Sequence, residues 1–153
     1  IACAQNDTAI LYRLNDGQPK IEKISFEPQC VSNLYFVYLN QKQSSKSAIA
    51  SYYAKSNPVE QLLPYFDSIT DDLLQKNDFV NLSLLLKKHE TKMSEVLSLP
   101  AIQDQLFSDF NGTIKSLGAW GGDFVLVIAA ENPTSYFKEK GYETILPYAE
   151  MIL

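Results

Sequence analysis

The sequence is poor in the residue types that build metal centres, disulfide frameworks and nucleic-acid surfaces. Its one histidine, His89, excludes a histidine-rich metal site and any catalytic triad that needs a second histidine. Two cysteines, Cys3 and Cys30, are too few for a disulfide framework, so a reducing cytoplasm is the simplest location. Thirteen basic residues against eighteen acidic ones give a formal net charge of −5, and no basic cluster marks a nucleic-acid surface.

Two further classes are disfavoured by what the chain lacks. No apolar run approaches the roughly 18 residues of a membrane-spanning helix, so we expect no membrane partner. His89 lies beside Lys87, Lys88 and Glu90 in a segment typical of a solvated helix face, so we expect no catalytic role for it. We assign no catalytic and no metal-binding residue in this chain.

The residues that are present predict one globular α+β fold. The chain has 153 residues, 46% of them hydrophobic and 20% charged, enough for one domain with a real core. Strands are predicted over residues 8–14, 21–26, 33–39, 113–117, 124–130 and 142–146. Helices are predicted from residues 44 or 45, from 57, from 77, over 101–110 and from 132 to 140. This segregation of strands and helices predicts an antiparallel sheet with helices packed on one face.

The densest glycine cluster lies between the two strands at 113–117 and 124–130. Residues 116–125 read SLGAWGGDFV and hold three of the six glycines around the one tryptophan, Trp120. Such a loop can bring backbone N–H groups close to an anion, since no Cβ blocks the approach, or it can be a tight connection without a ligand. Trp120 either packs over the sheet or forms the wall of a pocket.

A second candidate site lies where a strand leads into a helix, at Ser44, Ser45 and Lys46 in the stretch QKQSSK. Hydroxyl groups at a helix N-terminus either cap the helix or join its free N–H groups in binding a phosphate or carboxylate. Lys42 and Lys46 would add positive charge. The residues alone leave both interpretations open.

Taken together, these motifs resemble the C-terminal part of the GHMP kinases, the superfamily of galactokinase, homoserine kinase, mevalonate kinase and phosphomevalonate kinase. IKSLGAWGGDFVLVI resembles that family's third motif, written around K-L-x-G-A-G-G-G-G, with matches at Lys115, Gly118, Ala119, Gly121 and Gly122. Trp120 and Asp123 stand where the motif has glycine. FVYLNQKQSSKSAI resembles the strand-to-helix segment V-Y-T-G-x-x-x-S-T-K of mevalonate-pathway members, and IACAQNDTAILYRL resembles the stretch after S-G-x-D.

The resemblance implies a fold, a reaction and a division of labour. It implies a ferredoxin-like C-terminal domain over residues 28–153, preceded over 1–27 by a β-hairpin left from the N-terminal kinase domain. The reaction would move the γ-phosphate of ATP, with Mg²⁺, onto a small alcohol or phosphate, first of all a mevalonate-like metabolite. ATP and Mg²⁺ would be bound mainly by the N-terminal half, whose P-x-x-x-G-L-G-S-S-A loop and S-G-x-D motif would lie upstream of Ile1, so this part would be inactive by itself.

The same resemblance assigns residues to the acceptor side of the cleft. These substrate-binding residues would be Ser44, Ser45, Lys46, Gly118, Ala119, Trp120, Gly121, Gly122 and Asp123. The implied partners are the small-molecule acceptor and the protein's own N-terminal kinase domain, and a homodimer is left open. Two alternatives also remain: a non-catalytic α+β ligand-binding or regulatory module that uses the glycine loop for an anion, and a superfamily member that is a decarboxylase or has lost catalysis.

Overall fold

A computed structural model describes residues 8–41, 49–50, 52–53, 59–118, 120 and 122–152. Its first element is the predicted hairpin, with strands β1 (Ile10–Asn15) and β2 (Gln18–Lys23) paired antiparallel. Asp16 and Gly17 form its two-residue turn with φ angles of 50° and 75°, the left-handed backbone that such turns need. In the part that the structure describes, these two strands pair only with each other.

The remaining strands form one antiparallel sheet of four. They are β3 (Leu34–Tyr38), β4 (Thr113–Ser116), β5 (Phe124–Ile128) and β6 (Ile145–Pro147). Their spatial order is β4-β5-β3-β6, and every neighbouring pair is antiparallel. Long connections with helices join β3 to β4 and β5 to β6, which is the strand–helix–strand pattern of ferredoxin-like folds. The predicted α+β class with an antiparallel sheet and a preceding hairpin is confirmed.

Five α-helices are described from end to end: α1 (Leu63–Gln75), α2 (Phe79–Leu97), α3 (Ile102–Leu106), α4 (Thr134–Glu139) and α5 (Tyr148–Met151). Residues 49–50 and 52–53 are also helical and lie where a helix is predicted from residue 44 or 45. A 3-10 turn, Val59–Leu62, leads into α1. The predicted start of α2 is confirmed, because Asp78 caps the helix by accepting bonds from the N–H groups of Val80 and Asn81 at 3.1 Å each. No helix among these described residues is long and apolar enough to cross a membrane.

The sheet is buried on both faces. On one face Val125 and Val127 of β5 join Phe107 and Phe137 in an aromatic-rich core. On the other face Ile128 packs with a second cluster, to which α2 contributes Leu82. The long helices α1 and α2 therefore cover one face together, while the short helices α3 and α4 lie on the opposite face, so the predicted packing on one face holds for the long helices alone.

Several elements differ in extent from their predicted ranges, and β2 lies three residues earlier than the predicted 21–26. The helix predicted over 101–110 ends at Leu106, because Phe107 turns out of the helix at φ −139° and is fully buried against the rings of Phe137 and Tyr142. The last strand begins at Ile145 rather than at residue 142. The helix start predicted at Asn57 lies outside the described residues.

Candidate functional site

The glycine loop connects β4 to β5 and has a left-handed backbone at three described positions. Gly118, Trp120 and Asp123 have φ angles of 60°, 61° and 51°. All three align with glycines of the motif that the loop resembles, although only Gly118 is a glycine here. Non-glycine residues are uncommon at such angles, and a bulky side chain there is strained. The loop therefore retains the backbone of a glycine-rich turn in spite of two substitutions. Ala119 and Gly121 lie outside the described residues.

Backbone hydrogen bonds hold the loop against the end of β3. The N–H of Leu39 donates to the carbonyl of Asp123, and the N–H of Asp123 donates to the carbonyl of Gln41, both at 2.7 Å. These two bonds continue the contact between β3 and β5 beyond their last paired residues, Tyr38 and Phe124. Gln41 lies next to the glycine loop and directly precedes, in sequence, the stretch with the predicted serine site.

Ser44, Ser45 and Lys46 lie outside the described residues. The structure therefore brings the loop together with Gln41 and leaves the three acceptor contacts of the serine segment as predictions.

Trp120 packs inward. Only 9% of it is exposed, and the ammonium of Lys115 lies 5.7 Å from the centre of its ring, within the range of a cation–π contact. Gly122 is also buried, whereas Gly118 and Asp123 are exposed. A Cβ added at Gly118 would meet nothing within 4 Å, so the space above that part of the loop is open. The face available to a ligand is therefore formed by Gly118 and Asp123, with Trp120 beneath.

A buried carboxylate that the sequence did not indicate lies under the loop. Glu90 of α2 is only 3% exposed. Its Oε1 accepts hydrogen bonds from the N–H of Ser116 at 3.2 Å and from the hydroxyl of Ser116 at 2.6 Å. Its Oε2 lies 3.3 Å from Nζ of Lys115 in an ion pair. Two residues at the end of β4 are thus bound to one carboxylate on α2.

The ion pair neutralises the cation that lies beneath Trp120. Burial lowers the pKa of Lys115, and the carboxylate of Glu90 opposes that shift because it favours the charged ammonium. The ammonium also donates a hydrogen bond of 2.8 Å to the carbonyl of Ser116. Lys115 therefore serves as an internal partner for Glu90 and Ser116 rather than as a free positive charge.

The expectation for His89 and Glu90 is wrong: neither lies on a solvated face. His89 is half-buried, and its ring lies 5.1 Å from the ring of Phe66. Burial, and then the nearby charge of Lys115, lower the pKa of His89 from 6.5 to about 4, so it is neutral at pH 7. Its buried Nδ1 has no hydrogen-bond partner among the described residues. The prediction failed because Lys87 and Lys88 are exposed, whereas the next two residues of the same helix are withdrawn from solvent.

A shallow groove of about 530 Å³ lies elsewhere, between α1 and α2. It is lined by Leu62, Tyr65, Leu84, Lys87, Lys88, Thr91, Lys92 and Glu95. It contains none of the predicted site residues. Within the described ranges, no group of three or more histidine, cysteine, aspartate or glutamate residues could hold a metal ion. The glycine loop with the carboxylate beneath it is therefore the site that we consider.

Comparison with known proteins supports a likeness in fold. No protein-family model matches the sequence, and no curated protein matches it either. Among solved structures, the chain is similar to part of a small-molecule kinase. That structure is L. major mevalonate kinase in complex with R-mevalonate, with a TM-score of 0.54 and 19% sequence identity. The match covers 86% of this chain and 43% of the kinase chain, so this chain spans less than half the length of that enzyme.

Proposed function

We propose that the chain is the acceptor-side part of an ATP-dependent small-molecule kinase of the GHMP superfamily, close to the mevalonate-pathway members. The observation that carries the proposal is the left-handed backbone at Gly118, Trp120 and Asp123, three positions where the motif has glycine. A likeness in fold to a mevalonate kinase supports it independently of that motif. At 19% identity the likeness concerns the fold, and the reaction is our inference.

In this proposal the glycine loop is the wall of the cleft on which the acceptor lies. Its residues are Gly118, Ala119, Trp120, Gly121, Gly122 and Asp123. The open space above Gly118 supports close approach of an acceptor to the backbone. Ser44, Ser45 and Lys46 would be further acceptor contacts, which is consistent with the bond between Gln41 and Asp123.

The reaction would transfer the γ-phosphate of ATP to a hydroxyl or phosphate oxygen of a small metabolite. Catalysis of this kind depends on positioning and on stabilisation of the transferring charge. ATP and Mg²⁺ would be bound mainly by an N-terminal half outside this chain, and we assign neither to the described residues. The loop's contribution would be to hold the acceptor oxygen in line with the phosphate.

The N-terminal hairpin supports a covalent partner domain. Tyr12, Leu14 and Ile21 are large apolar side chains that remain exposed on its two strands. In the proposal, residues 1–27 belong to the sheet of the N-terminal kinase domain, which would cover these side chains, and residues 28–153 form the C-terminal domain. We expect the whole protein to act in the cytoplasm.

A non-catalytic ligand-binding or regulatory module is a second candidate, because one observation speaks against a phosphate-facing loop. The described loop offers no unpaired cation, since Lys115 is neutralised by Glu90, and Asp123 adds an exposed negative charge. A phosphate-facing wall would ordinarily carry the opposite charge. Such a module would bind a metabolite without consuming ATP.

One assay separates these two functions. The full-length protein is incubated with ATP, Mg²⁺ and a panel that includes R-mevalonate, R-phosphomevalonate, homoserine and galactose, and ADP release is measured for each. Turnover with one acceptor supports the kinase. Acceptor binding without any turnover overturns it and supports the module. Sequencing the gene upstream of Ile1 is an independent check, because the kinase requires both P-x-x-x-G-L-G-S-S and S-G-x-D there.

A further inference from the structure

The carboxylate of Glu90 links helix α2 to the glycine loop through two consecutive residues. Ser116 is the last residue of β4, and both its N–H and its hydroxyl donate to Oε1 of Glu90. Lys115 precedes it and lies 3.3 Å from Oε2. We propose that Glu90 is a positioning residue that fixes the glycine loop in the conformation with Trp120 seated on Lys115.

The contacts form a continuous path from the helix to the tryptophan. Glu90 holds the ammonium of Lys115 at one side, and the Ser116 carbonyl accepts a bond from that ammonium at 2.8 Å. Nζ of the same ammonium also lies 5.7 Å from the centre of the Trp120 ring. The ion pair with Glu90, the hydrogen bond to Ser116 and the ring of Trp120 together fix the position of the ammonium. Without the carboxylate, the bond to the Ser116 carbonyl would be the one polar contact of this ammonium left among the described residues.

Trp120 needs such support because of its backbone. A tryptophan at φ 61° is strained, and such strain persists only where the surroundings over-determine the conformation. Here the indole ring is buried and contacts the ammonium of Lys115, and these surroundings hold the strained conformation in place. A buried pair is seldom favourable for stability alone, since apolar residues of similar volume often replace one without loss. Orientation of the loop is therefore the role that we assign to this pair.

The tryptophan itself reports on the proposal, because Trp120 is the one tryptophan of the chain. In the 153-residue chain, Glu90→Gln keeps the shape and an oxygen for Ser116 but removes the charge that holds Lys115. We expect its Trp120 emission to shift to longer wavelength and its acrylamide quenching to rise by about twofold, as for an indole that moves from a buried to a half-exposed position. Glu95→Gln on the same helix is the matched control, and its emission should equal that of the wild type.

Two more variants keep the test decisive. Ser116→Ala removes only the 2.6 Å hydroxyl bond and should give a smaller change in the same direction, so it replaces Glu90→Gln if that variant does not fold. Glu90→Gln combined with Lys115→Met should quench no more than Lys115→Met alone, because Glu90 acts on Trp120 through Lys115. A folded Glu90→Gln or Ser116→Ala variant with wild-type emission and quenching overturns the proposal. No acceptor or ATP is used, so this result is independent of the proposed kinase activity.

Discussion

Helix α2 carries two ion pairs of the same chemical type in opposite surroundings. Glu95 and Lys92 approach to 2.6 Å, but their side chains are 59% and 30% exposed. Glu90 and Lys115 are 3.3 Å apart, yet their side chains are only 4% and 14% exposed. The longer contact is the consequential one, because water screens the exposed pair while the buried charges have few other partners. Burial, rather than distance, distinguishes the pair beneath the glycine loop.

The two pairs also differ in what they join. Lys92 and Glu95 are three residues apart on one helix, so their pairing is local. Glu90 bonds to Ser116, 26 residues away, and so ties a helix to the end of a strand. Loss of the local pair should leave the fold unchanged, while loss of the other should loosen the loop that we propose as the acceptor wall.

The largest expected effect comes from Glu90→Ala. The substitution leaves the ammonium of Lys115 buried without its anion and removes the one oxygen that accepts from both the N–H and the hydroxyl of Ser116. We expect a loss of about 3–5 kcal/mol in the free energy of unfolding, the usual cost of breaking a buried pair. Urea denaturation followed by circular dichroism measures it. A loss below about 1 kcal/mol, the value typical of exposed pairs, would erase the distinction between the two pairs.

The next largest effect is a loss of stability at acid pH, which we expect because His89 on α2 must take up a proton. Its pKa of about 4 in the folded chain lies below the ordinary 6.5, so the unfolded chain binds more protons between these values. Stability from this group is complete above pH 6.5 and falls as the pH drops towards 4. Allowing for partial solvent exposure, the loss is on the order of 1–2 kcal/mol.

The check is urea denaturation of the wild type and His89→Gln at pH 7 and pH 4.5. The glutamine variant cannot gain the proton, while the carboxylates titrate in both proteins and cancel in the comparison. The wild type should lose more stability than the variant between the two pH values. Equal losses would show that His89 is not held in its neutral form.

A smaller effect of opposite sign is expected at the exposed end of the loop. Asp123→Gly should raise the free energy of unfolding by about 0.5 kcal/mol, because glycine adopts a φ of 51° without strain while gaining some freedom in the unfolded chain. The two bonds of Asp123 with Leu39 and Gln41 use only backbone atoms and should persist. Thermal denaturation detects the change. Asp123→Ala keeps the strain, so an equal gain in that variant would contradict this explanation.

The smallest effect is expected from Glu95→Ala. Its partner Lys92 retains the contact with the ring of Tyr65 at 5.9 Å, and the lost pair is screened. We expect a loss of about 0.3–0.5 kcal/mol, as for other helix-surface pairs, reduced further in 0.5 M salt. Urea denaturation at two salt concentrations measures it. A loss as large as that of Glu90→Ala would mean that burial does not separate the pairs.

Local patterns in the sequence were sufficient for the elements that frame the site. The Asp16-Gly17 turn, the Asp78 cap and the continuous apolar run of β5 each depend on neighbours within a few residues. The glycine loop is also visible in the sequence, because three of the six glycines lie within five positions. The resemblance aligns Trp120 and Asp123 with glycines of the motif, and the structure gives both residues left-handed φ angles.

The buried part of the site depends on long-range contacts that no local pattern contains. Lys87, Lys88, His89 and Glu90 form one polar run in the sequence, but Lys87 and Lys88 are exposed while His89 is half-buried and Glu90 is buried. Whether Glu90 is buried depends on β4, which follows it by more than twenty residues. Similarly, α3 ends early because Phe107 finds its core among residues far along the chain.

The claim that the glycine loop forms the acceptor wall is tested most directly by a pair of glycine variants in the full-length protein. Gly118 and Gly141 have φ angles of 60° and 87°, and a Cβ at either meets nothing within 4 Å, so alanine should strain both similarly. We predict that Gly118→Ala raises KM for R-mevalonate or R-phosphomevalonate about tenfold, as expected for one lost backbone contact of about 1.4 kcal/mol, while Gly141→Ala leaves KM unchanged. Equal KM values in the two variants would contradict the claim.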